Sequence, residues 1–404
     1  MNHGRAICWT IVFALAACAR ISDASTPDAA EWDRRDALEL VADIERIAAD
    51  GLDPQSYDRA PLTDALAAGD RDGAAAAAAA LFDDIAQDIR TGIIPPEERR
   101  RWNLPAPTAL PDIIGAENRG FAERLASLAP QHPQYQALRN ALAAGRGDAE
   151  DAARLRLNME RWRWMPRELG PDYIFVNVPA FELIVVRGGE EIDRRRVIVG
   201  TRRTPTPQFA ATVTAVAFNP TWFVPPSIVA ESVGALLRNE PDKAAKQGYY
   251  AGADGGVRQK PGPANALGQM KLIMPNPYSV FLHDTPSKGA FARDDRALSH
   301  GCVRVDGAVD FARVLLGDAM DEDAVAKILS TRITREIGLE RPIPIYVTYF
   351  TAYADKDGTA AFYPDIYGLD RPLLARFGGP PADAAPKDET TPPVESCPEA
   401  APAQ

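Results

Sequence analysis

Two histidines and one cysteine lie close together in the second half of the chain, and residues of these types can do chemistry. His283 precedes a segment that contains His300 and Cys302. A cysteine thiol has a pKa of about 8.5 in model peptides, so only a few per cent is thiolate at neutral pH. A neighbouring imidazole can take the proton and leave a reactive ion pair. The pattern predicts Cys302 as a nucleophile and His283 as its general base.

Less reactive interpretations of the same residues remain open. A lone cysteine is usually a small buried hydrophobe, and a lone histidine is usually structural. His283, His300 and Cys302 are all of types that bind zinc, but their spacing lacks the close pairs of common zinc sites. We therefore expect neither a metal ion nor a cofactor.

The residues around Cys302 are suited to holding an acyl group. Gly301 has no side chain, so a substrate carbonyl can approach the backbone, and the amides of Gly301 and Cys302 are candidate donors to an oxyanion. Arg304 lies on the same face as Cys302 if the segment is extended, where it could receive a substrate carboxylate. His283 ends an apolar run, residues 280–282, that is predicted to be a strand.

The N-terminal sequence predicts export from the cytoplasm. Residues 1–17 contain one charged side chain, Arg5, before an apolar run that ends in small residues, which is typical of a secretory signal peptide. Residues 15–18 (LAAC) are similar to a bacterial lipobox, in which Cys18 would be lipidated, and Ala19 would suit sorting to the outer membrane. Ordinary cleavage after a small residue is the alternative. The predicted location is periplasmic, with an outer-membrane anchor if Cys18 carries lipid.

Length and composition limit the kind of protein. The chain has 404 residues, 46% of them hydrophobic and 25% charged. This is enough for two domains that each bury a core. The formal net charge of −11 repels phosphate backbones, and no basic cluster is interleaved with aromatic residues. These features argue against nucleic acid as a partner.

The hydrophobic pattern changes near the middle of the chain. Residues 31–148 carry apolar residues at helical spacing and include an alanine run at 74–80, which favours helix without any functional role. Residues 155–350 contain short runs rich in Val, Ile and Phe, separated by Gly and Pro, which predict strands. An α+β fold follows, with a helical domain before a β-rich domain.

Four further segments are predicted outside these two regular regions. Residues 18–30 are a linker, and residues 226–263 form an insertion long enough to be a functional lid. Residues 351–378 are a C-terminal hairpin extension, with a tight turn at Asp357-Gly358. Residues 379–404 are rich in proline and acidic residues and are predicted to be disordered.

The segment around Cys302 resembles the signature of the L,D-transpeptidases, bacterial enzymes that cross-link peptidoglycan through a cysteine. Further segments are similar to the large periplasmic branch of that family, which has an N-terminal scaffold domain. Together the similar segments cover nearly the whole chain that follows the signal peptide. They are residues 299–304 (SHGCVR), 283–286 (HDTP), 219–228 (NPTWFVPPSI), 261–268 (PGPANALG), 50–54 (DGLDP) and 88–92 (DIRTG).

The resemblance implies a fold and roles for individual residues. It implies a mainly antiparallel β-sandwich catalytic domain, with residues 226–263 as the substrate-capping insertion. The family's nucleophile falls on Cys302 and its general base on His283. His300 matches a position that supports the oxyanion or substrate, although some relatives carry serine there. Arg304 matches the substrate-contacting arginine, and Ser299 belongs to the same substrate-binding motif.

The resemblance also implies a reaction and a partner. The partner is the peptidoglycan stem peptide, and the implied reaction releases D-alanine from a tetrapeptide stem and joins two diaminopimelate residues during cell-wall synthesis or remodelling. An L,D-carboxypeptidase, a transpeptidase that attaches lipoproteins, and a non-catalytic peptidoglycan-binding protein remain alternatives. In one respect the sequence departs from this branch, which commonly places a small peptidoglycan-binding domain between scaffold and catalytic domain. Here only residues 145–151 occupy that place.

Overall fold

The computed structural model describes residues 34–107, 121–317, 320–354 and 359–380. The predicted signal peptide, Cys18, the linker, the Asp357-Gly358 turn and the tail after residue 380 lie outside the described residues. Within the described ranges, no helix combines the length and the apolar character that crossing a membrane requires.

The first part of the described chain is helical, as the sequence predicts. The long third helix starts at Asp70, whose side chain accepts a hydrogen bond from the Gly73 amide, and it contains the alanine run. Apolar faces of these helices pack into one shared core. The helices are α1 (Arg34–Asp43), α2 (Ala60–Ala68), α3 (Arg71–Thr91), α4 (Phe121–Leu128), α5 (Pro133–Ala143) and α6 (Ala149–Trp164).

Helix α6 connects this helical region to the sheet. Three of its charged side chains are buried and paired: Arg161 Nη2 lies 2.5 Å from Asp370 Oδ1, and Arg163 Nη1 lies 3.1 Å from Glu160 Oε2. Buried charges are tolerated when each has an opposite partner, and losing one partner is costly. Because Asp370 belongs to the C-terminal segment, α6 fixes that segment to the helices.

The second part of the chain is mostly β-structure, with short strands separated by turns. The strands are β1 (Trp102–Asn103), β2 (Tyr173–Asn177), β3 (Glu182–Arg187), β4 (Glu190–Gly200), β5 (Gln208–Phe218), β6 (Trp222–Phe223), β7 (Tyr249–Ala251), β8 (Val257–Gln259), β9 (Met270–Ile273), β10 (Leu282–His283), β11 (Ala297–Ser299), β12 (Val303–Val305), β13 (Arg335–Thr348), β14 (Ala352–Ala354) and β15 (Ala360–Phe362).

The main sheet closes on itself. Its order is β1-β5-β13-β2-β3-β4-β12-β10-β9, and β9 also pairs with β5, which turns the row of strands into a ring. Within the ring, β13 runs parallel to β2 and β10 runs parallel to β12, while the other pairs are antiparallel. The predicted α+β class and mainly antiparallel pairing are confirmed. The strands form a closed, barrel-like sheet around an apolar core instead of two separate facing sheets.

Two helices pack beside this sheet after β12. Helix α10 (Ala308–Leu316) buries Phe311 and Leu315, and α11 (Glu322–Thr331) begins at Asp321, whose side chain accepts a hydrogen bond from the Ala324 amide. These two helices cover one end of the β-rich region and bury Val325 together with Phe311 and Leu315.

The segment predicted as a capping insertion has its own small core. It contains α7 (Pro226–Ile228), a π-helical turn (Val229–Val233), α8 (Gly234–Asn239) and α9 (Pro241–Lys246). Strands β6, β8 and β7 form a separate three-stranded sheet beside these helices. Trp222, Val224, Val233 and Leu267 are buried together between them.

The C-terminal segment returns to the sheet. Strands β14 and β15 pair antiparallel at the place predicted for a hairpin. After them, the Asp365 carboxylate accepts hydrogen bonds from the Leu369 and Asp370 amides at 2.8 and 2.9 Å and from the Tyr349 hydroxyl at 2.6 Å. This arrangement holds the intervening Tyr367 against the sheet.

Candidate active site

Cys302 lies in the turn between β11 and β12, next to the strand that carries His283. Strands β10 and β12 run parallel, with His283 opposite Arg304 and Leu282 opposite Val303. The Val303 amide donates a hydrogen bond to the Phe281 carbonyl at 3.1 Å, which fixes the chain directly after Cys302. The strand begins at Val303, so Arg304 lies in the extended segment and Cys302 lies in the bend that precedes it. The Cys302 thiol points its Sγ toward the Ser279 carbonyl oxygen, at 4.0 Å.

The turn before Cys302 is held by the Ser299 side chain. The Ser299 hydroxyl donates to the Cys302 carbonyl at 2.6 Å, and the Gly301 amide donates to Ser299 Oγ at 3.1 Å. Ser299 is 2% exposed. Ser299 therefore shapes the turn, and the Gly301 N–H, a predicted oxyanion donor, is engaged by the Ser299 side chain. Gly301 is required for another reason, since its φ of 115° is rarely adopted by other residues.

Buried Thr206 and half-buried Tyr367 support this turn from behind, and neither was predicted from the sequence. Thr206 Oγ1 donates to the Gly301 carbonyl at 2.8 Å and accepts from the Gly200 amide at 2.8 Å. The Tyr367 hydroxyl donates to the Gly200 carbonyl at 2.7 Å and accepts from the Thr206 amide at 3.2 Å. Burial raises the pKa of Tyr367 to about 12, so its hydroxyl stays protonated. The C-terminal segment thereby supports the turn that presents Cys302.

His283 is oriented by a backbone group and is kept neutral. Its Nδ1 donates to the Asp284 carbonyl at 2.5 Å, which leaves Nε2 as the basic nitrogen. Burial lowers the pKa of His283 to about 3, and the positive charges of Arg304 and Lys271 act in the same direction. Hydrogen bonds to the carbonyls of Asp284 and Leu267 oppose this lowering. The imidazole is therefore uncharged at neutral pH and able to accept a proton.

The residue after His283 fixes the end of its strand. Asp284 is 1% exposed, and its carboxylate accepts a hydrogen bond from the Gln269 amide at 2.9 Å and contacts Lys288 Nζ. Gly268 has a φ of 62°, and a Cβ at this position would lie 2.3 Å from Asp284 Oδ2. Because Gly268 has no side chain, the Asp284 carboxylate can pack against the Gly268 backbone. This packing fixes the Asp284 backbone, whose carbonyl orients His283.

Arg304, which lies opposite His283 on the neighbouring strand, adds a half-buried positive charge. Burial lowers the pKa of Arg304, while Cys302 acts to raise it. Its Nε is buried and has no hydrogen-bond partner among the described residues. A buried N–H without an acceptor is costly, so this geometry favours an incoming anion such as a carboxylate.

These residues surround a cavity of about 510 Å³ between the closed sheet and the cap. Cys302, His283 and Arg304 lie on the side of the closed sheet, and the cap contributes Ser227, Ile228 and Glu231. The volume is in the range of small-molecule and peptide-end sites.

His300 lies at the mouth of the cavity. Its side chain is 48% exposed, and its Nε2 donates to Glu231 Oε2 at 3.1 Å. This contact connects the turn that contains Cys302 to the cap. No group of three or more side chains able to hold a metal ion occurs within the described part of the chain.

Comparisons with known proteins agree with the sequence motifs. Residues 171–326 match the L,D-transpeptidase catalytic domain family, and residues 29–142 match the Scaffold domain family. A putative L,D-transpeptidase from Haemophilus influenzae is 30% identical over 288 residues, which cover 65% of this chain and 58% of the relative. The chain thus spans a little over half the length of this curated relative.

Solved structures of L,D-transpeptidases show a more distant similarity. One from Mycobacterium smegmatis is 16% identical, with a TM-score of 0.25 over 44% of this chain and 58% of the other. The catalytic domain of the enzyme from E. faecium is also 16% identical, with a TM-score of 0.22 over 44% of this chain and 96% of the other. The two family matches confirm the predicted resemblance: residues 171–326 are similar to L,D-transpeptidase catalytic domains, and residues 29–142 are similar to Scaffold domains.

Proposed function

We propose that this protein is an L,D-transpeptidase that forms an acyl-enzyme on Cys302 from a peptidoglycan stem peptide. One observation carries the proposal: a thiol and an oriented, neutral His283 line one cavity, whose wall also contains the half-buried Arg304 with its buried Nε. A base, a nucleophile and a carboxylate-binding group are what acyl transfer from a peptide end requires.

In the first step, the Cys302 sulfur attacks the carbonyl carbon that joins meso-diaminopimelate to the terminal D-alanine of a tetrapeptide stem. The S–C bond forms and the C–N bond breaks. His283 takes the thiol proton and delivers it to the leaving amine, so D-alanine departs and a thioester remains. Because the pKa of His283 is lowered to about 3, proton transfer accompanies attack and no ion pair is stored beforehand.

The remaining residues hold the substrate and the turn. Arg304 binds a carboxylate of the donor stem through its guanidinium. The Cys302 amide is the oxyanion donor in this proposal, since the Gly301 amide donates to Ser299. Thr206 and Ser299 position the turn, and Ser299 also lines the cavity that receives the substrate.

In the second step, an amine attacks the thioester, and the product is an amide with Cys302 restored. With the side-chain amine of a second diaminopimelate, the product is a direct diaminopimelate–diaminopimelate cross-link. The same thioester can pass to water, as in an L,D-carboxypeptidase, to a free D-amino acid, or to a lipoprotein lysine. A role in cell-wall remodelling and cell shape follows from the cross-linking reaction.

The location belongs to the same proposal. Peptidoglycan lies outside the cytoplasm, and residues 1–18 carry the predicted signal peptide and lipobox. Lipidation of Cys18 would hold the enzyme at the outer membrane, facing the peptidoglycan. The scaffold domain at 31–148 and the catalytic domain at 155–350 are proposed units of the exported protein.

Mass spectrometry tests the nucleophile. A carbapenem carries a reactive acyl group, so we expect a stable mass adduct on the wild-type protein, located on the peptide that contains Cys302. The Cys302→Ala variant should be folded by circular dichroism and carry no adduct. An adduct of equal yield in that variant would contradict the assignment of Cys302.

A disaccharide tetrapeptide donor tests the reaction. Cross-linked dimer with released D-alanine is the expected product, and it should disappear in Cys302→Ala. Trimmed tripeptide alone would identify a carboxypeptidase. Binding without any product would identify the non-catalytic alternative.

A further inference from the structure

The cavity has an uneven charge distribution. Its lining includes Arg203 and Arg304 together with the two histidines, whereas Glu231 is the only carboxylate among the described residues that line it. Glu231 comes from the cap, while Arg304, His283 and Cys302 belong to the closed sheet and its turns. A second substrate that enters between cap and turn therefore meets one negative group.

The backbone of the cap helix determines where Glu231 lies. Residues Val229–Val233 form a π-helical turn between α7 and α8, and such turns are frequent at functional sites. A Cβ on Gly234 would lie 2.7 Å from the Val229 carbonyl, so glycine is needed where the wider turn ends. Val233, on the same turn, is buried in the core of the cap. The turn is thus anchored on one side and presents Glu231 to the cavity on the other.

The present partner of Glu231 can be exchanged easily. Its Oε2 accepts a hydrogen bond from His300 Nε2 at 3.1 Å, with 62% of the Glu231 side chain and 48% of the His300 side chain exposed. Contacts of this kind at the surface contribute little free energy, because water screens them and both side chains lose freedom. A cation that reaches Glu231 therefore competes only with this weak contact to His300. His300 is two residues before Cys302 in the sequence.

We propose that Glu231 is the acceptor subsite of this enzyme and binds the ammonium group of an attacking primary amine. The inference rests on the proposed function and selects among its possible acceptors. The donor stem is recognised by its carboxylate at Arg304, whereas the acceptor is recognised by its positive charge at Glu231. Water has no charge to bind there, so Glu231 increases aminolysis relative to hydrolysis.

The step balances as follows. The bound ammonium loses one proton to solvent and attacks the thioester carbon as a neutral amine. The N–C bond forms, the C–S bond breaks, and His283 takes the second proton from nitrogen. His283 then returns that proton to the Cys302 sulfur, which restores the thiol and the neutral imidazole.

The test uses the Glu231→Gln variant of the full protein, with Glu240→Gln as the matched control. Glutamine keeps the size of the side chain and an oxygen that can accept from His300. Glu240 lies in the same cap, where it contacts Lys243, and it does not line the cavity. The donor is a tetrapeptide stem, and the acceptor is a diaminopimelate-containing tripeptide present at concentrations around its KM.

We expect Glu231→Gln to raise the KM for the acceptor by about tenfold, the loss that corresponds to about 1.4 kcal/mol for a charge-assisted contact. Formation of the acyl-enzyme precedes acceptor binding and should keep its rate, and Glu240→Gln should match wild type. The ratio of trimmed stem to cross-linked product should rise in Glu231→Gln only.

Hydroxylamine separates charge from shape, because it is uncharged at neutral pH and still attacks thioesters. Its rate should be the same in wild type and Glu231→Gln. An equal loss with both nucleophiles, or no loss with either, would overturn the acceptor subsite while leaving the acyl-enzyme proposal intact. A wild-type protein that never forms an acyl-enzyme would overturn the proposed function, and the subsite with it.

Discussion

The two histidines of the cavity illustrate two ways of building a site. His283 is 5% exposed, lies on a strand of the closed sheet and is held by the Asp284 carbonyl. The His300 side chain is 48% exposed and contacts only a cap residue among the partners described for its ring. The proposed base is thus fixed by packing, whereas the histidine at the mouth of the cavity is held by an exchangeable contact. This contrast predicts large effects of substitution on the side of the closed sheet and small ones on the side of the cap.

The largest effect is expected for His283→Gln. Loss of the base should lower the rate of acyl-enzyme formation by about 10²–10⁴-fold, the usual contribution of general acid–base catalysis. The rate of carbapenem acylation, followed by stopped-flow fluorescence, measures it. A loss below about fivefold, in a variant that melts within a few degrees of wild type, would remove His283 from the mechanism.

Thr206→Val comes second, because Thr206 acts through the turn and not on the substrate. The substitution leaves the Gly200 amide and the Gly301 carbonyl without their hydroxyl partner, at a cost of about 1–3 kcal/mol per buried group. We expect kcat to fall about tenfold as Cys302 loses its fixed position, with the KM for the acceptor unchanged. Thr206→Ser keeps the hydroxyl and should restore most of kcat. Equal losses in both variants would point to packing of the threonine methyl group instead.

The hydrogen bonds of Thr206 also show where sequence reasoning reaches its limit. Cys302, His283 and Arg304 were predictable because each is of a reactive type and because β10 and β12 are short strands close in sequence. Thr206 is 95 residues from Gly301 in the chain, and Tyr367 is 161 residues from Thr206. No local pattern relates such residues, since their contact depends on how the whole sheet closes.

The fold likewise contains elements that local sequence patterns predict and contacts that they do not. Helix α3 was predictable from its alanine run and α10 from its apolar spacing, because both signals are local. The closed ring depends on β9 pairing with β5 across a long connection, and no local pattern in the sequence indicates that contact. The position of Glu231 depends on a π-helical turn, which shifts the helical register in a way that regular 3.6-residue spacing does not indicate.

His300→Gln should have a small effect on acylation. Glutamine can still donate to Glu231, and the contact is largely solvated, so we expect a change of less than about threefold in the carbapenem rate. The carbapenem acylation rate of His283→Gln, measured in parallel, shows how large the loss is when the proposed base is removed. A loss of about 10²-fold or more in His300→Gln would break the contrast between the two histidines and assign His300 to the chemistry.

The smallest change in acylation rate is expected when the pH is lowered. This measurement tests the protonation state of His283 without any substitution. An exposed imidazole with a pKa near 6.5 would be mostly protonated at pH 5, and a base of that kind would lose about thirtyfold in rate. The pKa of His283 is lowered to about 3, so the imidazole stays neutral and ready to accept a proton at pH 5. The acylation rate should therefore change less than about twofold between pH 7 and pH 5.

Stability must fall over the same interval. The unfolded chain binds a proton at His283 near pH 6.5 and the folded protein does not, so the free energy of unfolding decreases as pH falls from 6.5 toward 3. Acylation rates and urea unfolding curves at pH 7, 6 and 5 measure both quantities on the same protein. An acid limb of the acylation rate centred near pH 6.5 would mean that His283 is solvated when it reacts. The base would then be as accessible to water as His300, and burial could not explain why the two histidines have different roles.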